Sequence, residues 1–247
     1  MCDDREDGYV SKYLTHFVGR GLKPGLAFGL LCKVVRSGKL LPGGSERNWT
    51  GNVRIRVDKA LSDNEMFLPE CVCFCDIPLK MLGIHTGKYS QFGLAFDKVW
   101  LAQKHGASPV FYLARRSCCT DHHFPNDHPR RETTREQFFD LAAHDWVRQY
   151  MASAAQPENL SRHDNMFFWY ILSYCKFFDE NLPENHSENC YMEREWRTIG
   201  QVQFGSDNIG KIVLPAGFKE KLLKEFPDEP GLGEKVYELE ATPSANQ

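Results

Sequence analysis

A short apolar run in the first third of the chain does the most to narrow the fold. Residues 71–77 read Cys-Val-Cys-Phe-Cys-Asp-Ile, and Pro78 closes the run. Because most of these residues favour strands and proline cannot donate to a sheet ladder, the run predicts a buried strand that ends in a turn. Further strands are predicted at 92–96 and 109–113, with a helix capped by Asp97 between them.

Helical and extended segments follow one another along the chain without a regular alternation. Apolar spacing predicts helices at 26–37, 133–155, 165–178 and 216–226, and strands near 13–20, 53–57, 201–204 and 211–214. Because a parallel α/β fold needs strands and helices in regular succession, this order favours an α+β fold. We expect a single domain over residues 1–247, with 1–10 and 228–247 as peripheral tails.

The charge balance excludes a globally basic surface. The chain has 30 Lys and Arg against 33 Asp and Glu, a net charge of −3, so its composition gives no overall electrostatic footprint for nucleic acid. A local basic and aromatic patch stays open as an alternative near the predicted helix 133–155, although acidic residues in that helix favour an ordinary solvated face. The residues of this patch are Arg130, Arg131, Arg135, Trp146, Arg148 and Tyr150.

The nine cysteines do not suggest a disulfide framework. Their number is odd, their spacing is irregular, and the acidic residues 1–7 are unlike a secretory signal. No apolar run approaches the about 18 residues of a membrane-spanning helix. We therefore expect a reduced, cytoplasmic protein with no membrane association.

Two groups of cysteine and histidine invite comparison with metal sites. Cys71, Cys73 and Cys75 share one face of the predicted strand, but they spread over about 13 Å, which is too far for one tetrahedral zinc ion. We interpret them as small buried side chains. The loop 117–131 lacks the usual zinc spacing, so a metal there is the less favoured alternative and no metal is expected. Its candidate ligands are Cys118, Cys119, Asp121, His122, His123 and His128.

Residues 193–197, Glu-Arg-Glu-Trp-Arg, bring two carboxylates close together in sequence. In a strand, alternation puts Glu193, Glu195 and Arg197 on one face. Two such carboxylates repel each other unless they hold something positive or share a proton. One interpretation is a surface ion ladder with Arg197, which is worth little, and the other is a ligand-binding site.

Several short motifs occur together over residues 10–215. They are His16-Phe17, Phe74–Leu79, Lys88-Tyr89 with Phe92-Gly93, Ser108–Tyr112 and Glu193–Arg197. In these motifs the chain resembles the AbiGi-type abortive-infection proteins of bacteria, which are usually labelled antitoxin components of phage-defence systems. More distantly, the order of the motifs resembles ADP-ribosyltransferase-like folds, in which NAD lies in a cleft between two small β-sheets with flanking helices.

The transferase resemblance implies a role for each motif. Tyr89 would stack on the nicotinamide ring and His16 would hydrogen-bond the ribose next to adenine. Glu195 would hold the nicotinamide ribose and stabilise oxocarbenium-like charge as the glycosidic bond breaks. Glu193 would orient or deprotonate the acceptor, and which of the two carboxylates is essential stays open. The other NAD-binding residues implied are Phe17, Arg20, Phe74 and Arg197, with either arginine suited to the pyrophosphate.

Two functions of different classes follow from these resemblances. The first is NAD-dependent transfer of ADP-ribose to a macromolecular acceptor, protein or nucleic acid, in anti-phage defence. The alternative is a non-catalytic antitoxin that binds a partner toxin or nucleic acid, and a third possibility is a transferase-like fold that binds a nucleotide without turning it over. NAD and a cognate toxin or antitoxin protein are the partners expected.

Overall fold

The computed structural model describes residues 11–44, 53–116, 134–154, 170–183, 186 and 188–239. The chain divides into two units, of which the first comprises residues 1–49, 71–108 and 193–247 and the second 50–70 and 109–192. The single domain expected from the sequence stays a prediction, whereas the α+β class is confirmed.

The secondary structure mixes helices with mostly short strands. In chain order the elements are β1 (Tyr13–Phe17), α1 (Pro24–Ser37), β2 (Lys39–Leu40), β3 (Val53–Ile55), β4 (Phe67–Pro69), β5 (Cys71–Cys75), α2 (Gly83–Thr86), β6 (Gly93–Asp97), α3 (Lys98–His105), β7 (Ser108–Pro109), β8 (Phe111–Ala114), α4 (Arg135–Ala154), β9 (Cys175–Phe178), β10 (Glu195–Ile199), β11 (Val202–Gln203), β12 (Ile209–Pro215), α5 (Lys219–Glu225) and β13 (Val236–Leu239). Every helix in the described part of the chain is too short or too polar to span a lipid bilayer.

A seven-stranded sheet with the order β13-β12-β6-β1-β5-β10-β7 organises the first unit. Its pairs are antiparallel from β12 through β10, and β13 lies parallel to β12. The strand predicted at 71–77 is confirmed as β5, which lies between β1 and β10, but only Val72, Phe74 and Cys75 of β5 are buried. The cleft between two small sheets expected from the transferase resemblance stays a prediction.

Helices α1, α3 and α5 pack on one face of this sheet. Leu14, Phe74 and Phe96 point from the strands into a core that also holds buried residues of α1, α3 and α5. A smaller apolar cluster, which includes Cys75 and Ala95, covers the other face. The sheet is therefore buried on both sides around β1 and β6.

Local signals place the ends of the predicted helices well. At the end of α1, Gly38 has φ +62° and its N–H donates to the carbonyls of Val34 and Val35. A β-carbon at this glycine would lie 2.6 Å from the carbonyl oxygen of Phe204, so only glycine fits. The predicted cap of α3 is confirmed, because the Asp97 carboxylate accepts a 2.9 Å hydrogen bond from Trp100 N–H.

The second unit packs α4 with two small sheets, the antiparallel pair β3–β4 and the parallel pair β8–β9. Asn64, in the left-handed region at φ +59°, exchanges hydrogen bonds with the backbone of Phe177 at 2.6 and 2.9 Å. Asp140 on α4 accepts from both the backbone N–H and the hydroxyl of Ser62, each at 2.7 Å. Polar side chains thus fix the chain in this unit where strand ladders are short.

One predicted helix is wrong where the structure describes it. The part of the predicted helix 165–178 that is described forms a short turn at Leu172–Tyr174 and then β9, because Phe177 alternates with its neighbours toward the core. An apolar run without a clear period does not distinguish a strand from a buried helix. Residues 236–239, within the expected C-terminal tail, form the edge strand β13 of the sheet, and the peripheral tails stay a prediction.

The proposed basic patch on α4 receives little support. Arg148 is highly exposed and lies 3.8 Å from the carboxylate of Asp145, as on an ordinary solvated face. Trp146 packs against the core of the second unit. Arg130 and Arg131 lie outside the described residues.

Candidate functional site

Strand pairing decides which of the predicted site residues share a face of the sheet. Cys75 lies opposite Thr15 on β1 and opposite Glu195 on β10. Because residues directly opposed across a ladder point to the same side, Glu195 shares its face with Thr15 and with Phe17 two residues further on. Arg197 lies opposite Cys73 and joins the same side. We call this side of the sheet the Glu195 face.

Glu195 and Arg197 form a buried ion pair on this face. The Nε atom of Arg197 donates to Oε1 of Glu195 at 2.6 Å, and the two side chains are 13% and 6% exposed. Burial lowers the pKa of Arg197, but the Glu195 carboxylate and the nearby cysteine sulfurs outweigh burial, so the pKa rises above its ordinary value. The guanidinium therefore stays charged and holds a carboxylate in a fixed orientation. This arrangement confirms that the two residues lie on one face.

Glu193 does not belong to the strand, which corrects the expected three-residue alternation. It ends a turn at Tyr191–Glu193, and Arg194 follows with φ +45°, so the extended chain begins only at Glu195. Left-handed backbone is costly for arginine, and the Arg194 carbonyl accepts a 3.1 Å hydrogen bond from Asp76 N–H in this conformation. Glu193 nevertheless stays near the site, because Lys88 Nζ donates to its Oε1 at 2.8 Å.

Tyr89 connects the two carboxylates to the loop after β1. Burial, a hydrogen bond with Glu193 and the negative charges of Glu193 and Glu195 all raise the pKa of the Tyr89 phenol. Its ring is nearly parallel to Phe17, with centroids 5.8 Å apart and an interplanar angle of 6°. The Arg20 guanidinium lies 5.2 Å from the same ring, a distance at which a cation is attracted to an aromatic face.

His16 takes a different position from these residues. Its side chain alternates with Phe17, and its Nδ1 lies 2.8 Å from the Cys73 carbonyl oxygen on β5. A carbonyl oxygen only accepts, so this hydrogen bond assigns the proton to Nδ1 and leaves Nε2 as an acceptor. Burial lowers the pKa of His16 and the bond to Cys73 offsets this in part, so the neutral ring is the form present at pH 7. The ring also contacts Phe74 edge-on at 5.8 Å.

The structure thus separates the predicted site residues into two groups. The larger group is connected side by side through Tyr89 or the ion pair and comprises Phe17, Arg20, Tyr89, Glu193, Glu195 and Arg197. His16 and Phe74 form the second group, and Phe74 is buried in the core on the opposite side of the sheet. The roles expected of all eight residues toward NAD stay predictions.

Sequence reasoning missed the roles of two buried residues beside this cluster, His85 and Asp76. His85 is buried, and its Nδ1 has no hydrogen-bond partner among the described residues. Its pKa is lowered by burial and by Lys88, while Glu193 raises it. Asp76 is buried between Lys98 Nζ at 2.7 Å and an Arg194 guanidinium nitrogen at 3.6 Å. Only tertiary proximity brings these groups to Glu193 and Glu195, so no local pattern marks them.

The cysteines of β5 differ in exposure more than the sequence suggested. Cys75 is buried, as expected, whereas Cys73 is exposed and Cys71 is half-buried. The sulfur atoms of Cys71 and Cys73 lie 3.7 Å apart. Within the described ranges there is no group of three or more His, Cys, Asp or Glu side chains suited to a metal ion, and residues 117–131 lie outside those ranges.

Comparison with known proteins identifies one family. The profile described as "Putative abortive phage resistance protein AbiGi, antitoxin" matches residues 61–223. Neither a curated protein nor a solved structure matches the chain. The matched stretch contains Tyr89, Glu193 and Glu195, whereas His16 and Arg20 precede it.

Proposed function

Because this chain belongs to the AbiGi family of putative abortive phage resistance proteins, we propose that it is an antitoxin that binds and neutralises a cognate toxin protein. The match of residues 61–223 to a family described as an antitoxin carries this proposal. An antitoxin of this kind acts by covering its partner, so it needs a surface suited to a protein and no catalytic turnover. The net charge of −3 is compatible with a protein partner and gives no general attraction to nucleic acid.

An exposed apolar surface on and before α1 supports protein binding. Leu22, Leu26 and Leu30 recur every four residues and are 45%, 63% and 38% exposed. Gly25 and Gly29 lie between them, and no described atom comes within 4 Å of the position a β-carbon would take at either. In the helix interior, Gly29 costs about 1 kcal/mol relative to alanine, and no contact recorded at that position among the described residues offsets the cost. A partner segment packed closely against this leucine face would do so.

The basic residues around α1 favour a partner with an acidic surface. The helix α1 carries no acidic residue, Lys33 follows Leu30 by three residues, and Lys23 precedes the helix, whereas Arg36 is already paired with Glu225. A toxin surface with an apolar centre and an acidic rim is complementary to this face. A second copy of the same face would bring like charges together, which favours a different protein over a symmetric dimer.

A pair of matched leucines provides the test. Leu30→Glu places a charge on the leucine face, whereas Leu223→Glu places it on α5 at almost the same exposure, 38% against 37%. Each variant is co-expressed with the protein encoded next to this gene, and growth and binding affinity are measured. We expect Leu30→Glu to weaken binding about tenfold or more and to abolish protection, with Leu223→Glu close to wild type. Absence of protection by the wild-type chain against that neighbouring protein would contradict the antitoxin proposal.

The cluster around Tyr89 and Glu195 favours a second candidate, NAD-dependent ADP-ribosyl transfer on an ADP-ribosyltransferase-like fold. The ion pair with Arg197 orients an acceptor-only group, which suits stabilisation of positive charge on a ribose. The Tyr89 ring beside Arg20 offers an aromatic surface next to a guanidinium that suits a pyrophosphate. His16 presents an acceptor to a ribose hydroxyl, but its place off the Glu195 face weighs against one cleft that holds all the expected residues.

Release of nicotinamide tests this second candidate. Wild type, Glu195→Gln and the exposed control Glu238→Gln are incubated with NAD in cell extract, and free nicotinamide is measured. If the protein is a transferase, wild type and Glu238→Gln should release nicotinamide, and Glu195→Gln should release little. No release by wild type, or equal release by all three, would contradict it. A ligand at 100 times its dissociation constant adds about 2.7 kcal/mol of stability, so a thermal shift without release would instead indicate a nucleotide bound without turnover.

A further inference from the structure

We propose that Cys71 and Cys73 form a reversible thiol-oxidation site, which reacts with small-molecule disulfides such as oxidised glutathione and closes to an internal disulfide. The proposal is independent of both candidate functions. It rests on the placement of two sulfur atoms on one strand, on their exposure and on the charges opposite them.

The sulfur atoms of Cys71 and Cys73 are already close together. They are alternate residues of β5, they share a face, and their sulfur atoms are 3.7 Å apart. Alternate α-carbons of a strand are about 6.6 Å apart, near the upper end of the about 4.4–6.8 Å range that disulfides span. Closure therefore needs a local pucker of the strand, and a bond closed near this limit is strained and easily reduced.

Exposure and proximity together distinguish this pair among the cysteines that the structure describes. Cys73 is exposed, Cys71 and Cys175 are half-buried, and Cys32, Cys75 and Cys190 are buried, but of these only Cys71 is recorded with its sulfur near that of Cys73. Cys73 is the most exposed of the described cysteines, so it is the one that a disulfide reagent from solution is expected to meet first, and Cys71 is the thiol placed to resolve the adduct. The buried thiols lack this access.

The charges near Cys71 and Cys73 influence the rate of thiol–disulfide exchange. Although the residue is exposed, its thiol lies against protein: a hydrogen bond with Cys71, desolvation of the sulfur and the Glu195 carboxylate raise the pKa of Cys73, while Arg197 acts in the opposite direction. The thiol form dominates at neutral pH, and only the thiolate attacks a disulfide. Exchange is therefore slow at neutral pH and accelerates about tenfold per pH unit below the pKa. Glu195→Gln removes one cause of the raised pKa, so it accelerates exchange.

The reaction is an ordinary two-step exchange. One thiol loses its proton to solvent and attacks a sulfur of oxidised glutathione, which forms a mixed disulfide and releases one glutathione thiolate. The second protein thiolate then attacks the protein sulfur of that mixed disulfide and releases the second glutathione. Two electrons and two protons thus pass from the two cysteines to two glutathione thiols.

In the oxidised form, the backbone of β5 would change position beside Arg197 and beside His16. The carbonyl of Cys73 accepts from His16 Nδ1 at 2.8 Å, and Arg197 lies directly opposite Cys73. A pucker between residues 71 and 73 shifts that carbonyl. Since the hydrogen bond raises the pKa of His16, its loss lowers that pKa further in the oxidised form.

Mass spectrometry of the full chain tests the site. Reduced protein is equilibrated with graded mixtures of reduced and oxidised glutathione, the remaining thiols are alkylated, and intact mass and peptides are measured. We expect a product lacking two hydrogen masses, with the bond mapped to residues 71 and 73 and removed by dithiothreitol. Cys71→Ser and Cys73→Ser should each yield a glutathione adduct instead, while Cys175→Ser, which changes a half-buried cysteine elsewhere, should still close.

The wild-type experiment tests the disulfide proposal even if a serine variant fails to fold. An adduct on Cys73 that never closes would overturn the proposal, as would alkylation of both cysteines at every ratio or a bond to any other cysteine. A rate that is unaffected by Glu195→Gln would overturn the assignment of that carboxylate as a cause of slow exchange.

Discussion

Replacement of Arg197 by leucine provides the sharpest test of the buried ion pair. Its Nε lies 2.6 Å from Glu195 Oε1, and both side chains are largely withdrawn from water. Removal of one partner of a buried pair leaves a poorly compensated charge and costs about 3–5 kcal/mol. At about 2–4 °C per kcal/mol for a chain of this size, the thermal midpoint should fall by about 6–20 °C.

Two further variants isolate the effect of the buried charge. Arg36→Leu breaks an exposed pair with Glu225, with side chains 51% and 45% exposed, and should cost about 1 kcal/mol or less. The double change Arg197→Leu with Glu195→Met removes both charges and should recover most of the lost stability. All four proteins are compared by calorimetry at one pH and salt concentration. If Arg197→Leu costs no more than Arg36→Leu, or if the double variant shows no recovery, the burial argument is refuted.

Three further outcomes follow from local geometry. Gly38→Ala forces a positive φ on alanine and meets the Phe204 carbonyl, so urea denaturation should show a loss of about 1–3 kcal/mol. Lys88 Nζ lies 2.8 Å from Glu193 Oε1 and both side chains are mostly buried, so Glu193→Gln should lose about 1–3 kcal/mol in the same denaturation; a loss no larger than that of the exposed control Glu238→Gln would contradict the importance of that contact. Burial lowers the pKa of His16, so the folded state resists its protonation, and stability should decline as the pH falls below about 6.5. His16→Gln should flatten this decline in a series of unfolding curves.

The sequence predicted elements whose signals are local. The end of α1 follows from Gly38, and the start of α3 follows from Asp97, because each acts on the backbone within one turn. The strand β9 was mistaken for part of a helix because its apolar neighbours have no single period, and contact with the core of the second unit decides its conformation.

For the candidate site, too, the sequence predicts only what a local pattern determines. Alternation along β10 correctly placed Glu195 and Arg197 on one face. It failed for Glu193 because a left-handed Arg194, bonded to Asp76 far away in sequence, interrupts the strand. The partner Lys88 was missed for the same reason, since it is 105 residues from Glu193 and only the fold brings it close.

The order of strands in the large sheet also governs when it can assemble during synthesis. Strand β1 is translated first but lies in the middle, and β12 and β13, which extend the sheet beyond β6, are translated last. The second unit interrupts the first, so β3, β4, β8, α4 and β9 are all complete before β10 leaves the ribosome. The core of the second unit can therefore form before β10, β12 and β13 complete the sheet. In nascent chains arrested before residue 209, β6 lacks its neighbour β12, so that edge of the sheet would stay unpaired and open to chaperones.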